Sequence, residues 1–383
     1  PEQARERLLP QIRSARAAIQ ELPDALRAPD RVYVEAKLLP NYIAPSYYPE
    51  SLLGFIGAVP VGSRADTGTL RTASKVQQSG TRRLILAVDN TALDRLEELV
   101  NAPGTGRSAL QAFAQIQRLE EFASPAVSTV LRTSPEGDIA GDELPVWEAV
   151  LHPRAVRSGE PVPIDDEALE RWIALVESRG GEVHRDFFRQ VGGLTFMPIR
   201  ASSTDAPELA RFNPLRVLRP MPAIRPRPRF GLRSGSRTVP PAVQGALADV
   251  TTVAVFDGGV HDTVGAGLFP IPLVDLTPEP VDPDDLDHGT GVTGAVLYGL
   301  LEPGAQAPQP PLPVESFRVM PAPYNPGDLD GYWILDRIKE TLSEDRHKLV
   351  NLSLGPTLAV EDDMEPNRWT AELDQLAWER DIV

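Results

Sequence analysis

Val253-Ala254-Val255-Phe256-Asp257-Gly258-Gly259 is answered, thirty-one residues on from Asp257, by Asp287-His288-Gly289-Thr290-Gly291-Val292. The first run is apolar and β-branched and closes on an acid, the pattern of a buried strand with a carboxylate at its end. The second places a histidine at the opening of a helix of small residues. A strand end and a helix start can bring Asp257 and His288 together. An Asp that holds one imidazole nitrogen fixes the tautomer, so the other nitrogen can take a proton from a hydroxyl nucleophile. Taken singly, an Asp at a strand end is more often a turn or cap residue, and a lone His is usually structural.

Working outward, the pattern is α/β. Strand 252–256 leads to helix 288–300, strand 316–320, helix 329–344, strand 349–354 and helix 370–379, and Asp381-Ile382-Val383 reads as the first turn of another strand. Such alternation predicts a parallel sheet with helices on both faces, whose functional groups gather at the carboxyl ends of the strands. A third element, Val350-Asn351-Leu352-Ser353-Leu354-Gly355-Pro356, ends at that same edge.

With these three motifs in this order, residues 250–383 resemble the first half of a subtilisin-like (subtilase) serine protease domain. The resemblance implies that Asp257 orients the imidazole, that His288 is the general base and acid, and that Ser353, Leu354 and Gly355 line a substrate cleft by strand addition. Gly258 departs from the family, which more often has Ser or Thr there. The larger departure is the nucleophile: no Gly-Thr-Ser-x-Ala-x-Pro segment and no Ala-Ala-Gly-Asn segment occurs in the 383 residues. In the family both follow the strand that Asp381-Ile382-Val383 begins, so the expectation is a serine beyond Val383, and the fragment alone is expected to be inert. Ser234 and Ser236 have no activating context. A non-catalytic, peptide-binding or regulatory module on the same fold is the alternative.

Upstream, residues 1–24 read as an amphipathic lead-in helix through Leu8, Leu9, Ile12, Ala15, Ile19 and Leu22, for packing or as a partner-binding arm. Residues 25–135 read as βαββαβ: strand 31–38, a helix near 52–56, an extended 58–64, strand 83–88, a helix at 91–100 capped by Asn90 or Thr91, and a final strand at 112–119. The order repeats over 140–222, with strand 145–151, helix 165–178 closed by Gly180-Gly181, a strand pair 183–190 and 194–200, helix 206–211 and strand 216–218. The expected fold class is therefore α/β: an incomplete subtilisin-like parallel sheet flanked by helices (249–383), preceded by two α+β ferredoxin-like units.

Gly193 to Ile199, Leu209 and Asn213 to Leu218 resemble the end of a subtilase propeptide, which implies a chaperone and inhibitor role for 145–222. Tyr33 to Leu38 and Val61-Gly62-Ser63-Arg64 resemble the extensions of bacterial subtilases encoded beside AAA-type ATPases. That implies an AAA-type ATPase partner and an intracellular, defence-related role.

Between Ala210 and Ala248 there is no acid but eight arginines and seven prolines. The run 223–248 predicts an exposed, polyproline-like linker, with a processing site or an acidic partner's contact as the sharper reading.

Composition bounds the rest. The 383 residues are 42% hydrophobic, enough for two or three domains; formal charge is -16 and the isoelectric point about 4.9, which argues against nucleic acid and anionic membranes as partners. The absence of cysteine excludes a thiol nucleophile and a disulfide framework. No apolar run approaches the roughly 18 residues of a membrane span, and no secretory signal opens the chain; a cytoplasmic protein is expected, with further N-terminal sequence before Pro1. No cofactor is expected. Gly104-Thr105-Gly106-Arg107 reads as a turn rather than a phosphate loop. Asp282, Asp284, Asp285 and Asp287 form an acidic loop that could bind Ca2+, with a solvated loop as the commoner reading. His152, His184, His261 and His347 lack metal-ligand spacing.

Overall fold

Ala4, Leu8, Ile12, Ala15 and Ile19 recur at helical period and form the buried face of α1 (Glu2–Glu21). The computed structural model describes residues 2–71, 76–132, 144–157, 160–222, 224–225, 251–261, 271–277, 280–299, 308–322, 329–356 and 365–383. They fall into two units, Pro1–Met221 with Glu361–Glu365 and Pro222–Val360 with Pro366–Val383.

The first half of the first unit runs β1 (Val32–Leu38), α2 (Glu50–Ile56), β2 (Val59–Arg71), β3 (Val76–Val88), α3 (Ala92–Asn101), α4 (Arg107–Gln115), β4 (Leu119–Ala123) and a single turn, α5 (Val127–Val130). Its antiparallel sheet has the order β2-β3-β1-β4. The strand expected over 112–119 is instead the end of α4 and a 3-10 turn. Ala109, Ala112, Phe113 and Ile116 lie at helical spacing and are buried together, and extended chain begins at Leu119. β2 and β3 are longer than expected, because their outer halves are polar and give no apolar signal while pairing continuously out to Arg71 and Val76.

The second half runs β5 (Val146–Leu151), the hairpin β6 (Ala155–Arg157) and β7 (Glu160–Val162), α6 (Asp166–Ser178), β8 (Glu182–Val183), β9 (Arg189–Val191), β10 (Leu194–Arg200), α7 (Ala206–Leu209) and β11 (Leu215–Pro220). Asp165 caps α6 by accepting the Ala168 N–H. The strand expected over 183–190 is split into β8 and β9 by a 3-10 turn at Arg185–Phe187. The sheet order is β11-β5-β10-β8. β9 pairs with β10 off this path, and with it and the β6–β7 hairpin left out of the count both sheets run fourth, first, third, second, so a repeat visible in sequence only as element order is also a repeat of topology.

The second unit contains β12 (Ile224–Arg225), β13 (Val253–Asp257), β14 (Leu273–Asp275), α8 (Pro283–Tyr298), β15 (Val314–Arg318), α9 (Asp330–Leu342), β16 (Leu349–Leu352), β17 (Gly355–Pro356) and α10 (Arg368–Arg380). Its four-stranded parallel sheet has the order β14-β15-β13-β16. β13 is central and buried along its whole length, and Phe256 stacks on its register partner Phe317 at 4.8 Å between ring centroids. At the β16 edge, Val350 N–H donates to the Val383 carbonyl and Val383 N–H to the Lys348 carbonyl, both at 2.9 Å, so the run after α10 starts pairing as a further parallel strand.

One expectation changes at the start of this unit. Ile224 is 2% exposed and packs into the core beside Phe256 and Leu354, and β12 pairs antiparallel with β17. Within the presumed exposed linker Ile224 is thus packed, because it carries an apolar side chain that the core accepts. Ser234, Ser236 and the Arg/Pro-rich run after Arg225 lie outside the described residues. Among the described residues no helix is long and apolar enough to cross a membrane.

Candidate active site

The register of the parallel sheet builds the site. Phe256 pairs with Leu352, so Asp257 at the end of β13 and Ser353 just past β16 emerge at the same carboxyl edge. Asp257 is 1% exposed; its Oδ1 accepts the Gly258 N–H at 2.7 Å and the His288 Nδ1–H at 2.8 Å. Burial pushes the Asp257 carboxyl above its usual range, and the two N–H donors and the imidazole pull it back. Its Oδ2 is buried with no partner among the described residues, leaving an acceptor position for one more donor. With Nδ1–H committed to the carboxylate, Nε2 of His288 is the nitrogen that can accept a proton.

α8 delivers His288, but not as its opening residue. The helix begins at Pro283, a favoured first position, with Asp282 as N-cap accepting the Asp284 N–H at 2.8 Å. His288 therefore stands in the second turn. The same finding corrects the acidic-loop reading, since Asp284 and Asp285 occupy the first helical turn and face its positive end. No group of three or more His, Cys, Asp or Glu is placed to hold a metal among the described residues.

Two glycines allow this approach. A Cβ on Gly258 would lie 2.4 Å from the Asp285 carbonyl oxygen, and one on Gly289 would lie 2.1 Å from the Gly259 carbonyl oxygen. The turn after β13 and the first two turns of α8 therefore touch backbone to backbone. This gives Gly258, the departure noted above, a steric reason: a serine or threonine would collide with the helix.

Asp285 carries a readable consequence. Burial, together with the nearby Asp282 and Asp257, raises its carboxyl to about 6. A carboxyl raised in the folded state favours folding fully below the unfolded value near 4, and that contribution is lost as pH rises through about 6. Replacing Asp285 with Asn is expected to raise the melting temperature at pH 7 and to flatten its fall between pH 4 and 6; thermal melts across that range check it.

The cleft residues are also placed. Ser353 Oγ donates to Asn351 Oδ1 at 2.9 Å, Leu354 is buried in the core, and Gly355 pairs with Arg225 of β12. Two extended residues, Ile224 and Arg225, thus pair with Pro356 and Gly355 at the end of the stretch expected to receive substrate. Ile224 sits over Gly331, where a Cβ would come within 2.8 Å of its Cγ1.

Two further groups had little signal in sequence. His261 Nε2 lies 2.8 Å from Asp287 Oδ1, and the His261 backbone N–H donates to Thr290 Oγ1 at 2.9 Å, tying the turn after β13 to α8. Arg318 is the register partner of Asp257 and makes a two-pronged pair with Asp275 at 2.8 and 2.7 Å. Both line a cavity of about 450 Å³ with Gly259, Leu286 and Ser316. Only the short spacing between Asp257 and His261 hinted at either group. Among the described residues no serine hydroxyl is hydrogen-bonded to His288.

Comparison of the chain with protein-family models and with curated proteins finds no match.

Proposed function

We propose that the second unit carries the Asp and His of a subtilisin-type serine endopeptidase, with β14-β15-β13-β16 as the first strands of its parallel sheet. The observation that carries this reading is the Asp257–His288 hydrogen bond at the carboxyl edge, next to the Asn351 to Gly355 strand. Sequence following Val383 supplies the serine. His288 Nε2 takes the proton of that hydroxyl as its oxygen attacks the scissile carbonyl, Asp257 stabilises the imidazolium that forms, and the same proton passes to the leaving amine. Substrate adds as a strand against Gly355, as Arg225 does here.

In the same reading the two βαββαβ modules regulate the protease, and an AAA-type ATPase in the cytoplasm is the partner implied by the resemblance. The pairing of β12 with Gly355 and Pro356 favours a second reading, a regulatory or peptide-binding module without chemistry. Full-length protein separates them. A fluorophosphonate probe is expected to label it at a serine after Val383 and not to label the His288→Ala variant; a full-length protein that takes up no label with Asp257 and His288 intact would sink the protease reading.

A further inference from the structure

The motif Val61-Gly62-Ser63-Arg64, which the protease reading does not use, lies in the first unit, far along the chain from the catalytic pair. Arg64 and Arg216 are 4% and 5% exposed, and the Nε–H of each donates to one oxygen of the Glu365 carboxylate. Arg219 Nη1 adds a bond to the Glu365 backbone carbonyl at 3.1 Å. Two of the three arginines have partners independent of that carboxylate. Arg64 is held by Glu35 Oε1 at 2.8 Å and by the Arg216 carbonyl at 2.7 Å, and Arg219 by Glu148. Gly62 clears the space, since a Cβ there would stand 2.4 Å from Arg216 Nη1.

Every wall residue comes from the continuous chain before Met221, while the anion comes from Glu365. Among the described residues Glu365 is the one carboxylate paired with Arg216. A buried guanidinium without a counter-charge is strongly unfavourable, so residues 1–221 form a site that demands an anion. The buried His152 reports the same positive potential: desolvation and the charges of Arg216 and Arg64 keep it neutral.

We propose that Arg64 and Arg216 form a carboxylate receptor for a glutamate side chain on an extended peptide, and that Glu365 is its resident ligand. The receptor anchors the chain ten residues after Gly355. It is independent of the protease reading, and its test uses no activity.

In the 383-residue chain, Glu365→Gly is expected to lower the melting temperature by about 10 °C. Acetate at 0.1 M should restore most of that loss and chloride at equal ionic strength should not. The peptide Glu361 to Asn367 should restore it at lower concentration than acetate, and the same peptide with Gln for Glu365 should not. The Arg216→Met/Glu365→Met chain, with both charges gone, should respond to acetate no more than the parent does. If Glu365→Gly folds only in acetate, that is the expected result in stronger form. An unchanged melting temperature, or a loss that chloride repairs as well as acetate, overturns the proposal; repair by acetate but not by the peptide overturns the peptide-glutamate assignment.

Discussion

On the proposed endopeptidase reading, Asn in place of Asp257 is expected to lower the kcat of full-length protein by about 10⁴-fold, with KM nearly unchanged. The side chain is 1% exposed and bonded to the Gly258 N–H and to His288, so it acts on the imidazole and does not reach substrate. An amide keeps the volume but loses the charge that stabilises the imidazolium. If it turns its NH2 toward Nδ1, it also selects the tautomer whose Nε2 is protonated and cannot accept. Steady-state kinetics at saturating peptide check this. A loss under tenfold would mean that the Asp257–His288 pair is not the proton relay.

The second large effect is steric. Gly289→Ala puts a methyl 2.1 Å from the Gly259 carbonyl oxygen, and the obstacle is backbone on both sides, so no side chain can rotate away. Relief requires α8 to withdraw from the turn after β13, which separates His288 Nδ1 from Asp257 Oδ1. Overpacking of this kind costs about 3 kcal/mol, and for a unit of this size that is a fall in melting temperature of about 6–12 °C. Gly291→Ala is the matched control. It faces open space in the same helix and gains about 1 kcal/mol of helix propensity, so its melting temperature should rise by about 2–4 °C. Equal effects from the two substitutions would contradict the close packing described for α8.

What could be read from sequence follows from how local each signal is. β13, the His288 helix and the Asn351 strand each carry their own periodicity and punctuation, and the register of a parallel sheet then brings their ends together. The start of α8 was also written locally, in Asp282 and Pro283, but four aspartates drew the reading toward a loop although cap and dipole chemistry favour them on a helix. α4 was hidden because Ala112 to Leu119 satisfies both a helical and an extended pattern, and only burial of Ala109 and Phe113 decides between them. β14 is three residues long, too short to show alternation. The Val61 to Arg64 motif stood out in sequence, but its meeting with Arg216 and Glu365 did not. Arg64 and Arg216 meet Glu365 across 301 and 149 residues, and no periodicity connects positions so far apart.

β12 alters how a peptide competes for the candidate groove. Because Ile224 and Arg225 belong to the same chain as Gly355 and Pro356, the occupant is present at an effective concentration on the order of millimolar whatever the protein concentration. A free peptide of equal intrinsic affinity, supplied at about 1 μM, would hold the groove only about one-thousandth as often. Turnover of dilute substrates would therefore depend on how readily residues 224–225 detach, and severing the chain after them would convert a fixed local concentration into one that falls with dilution.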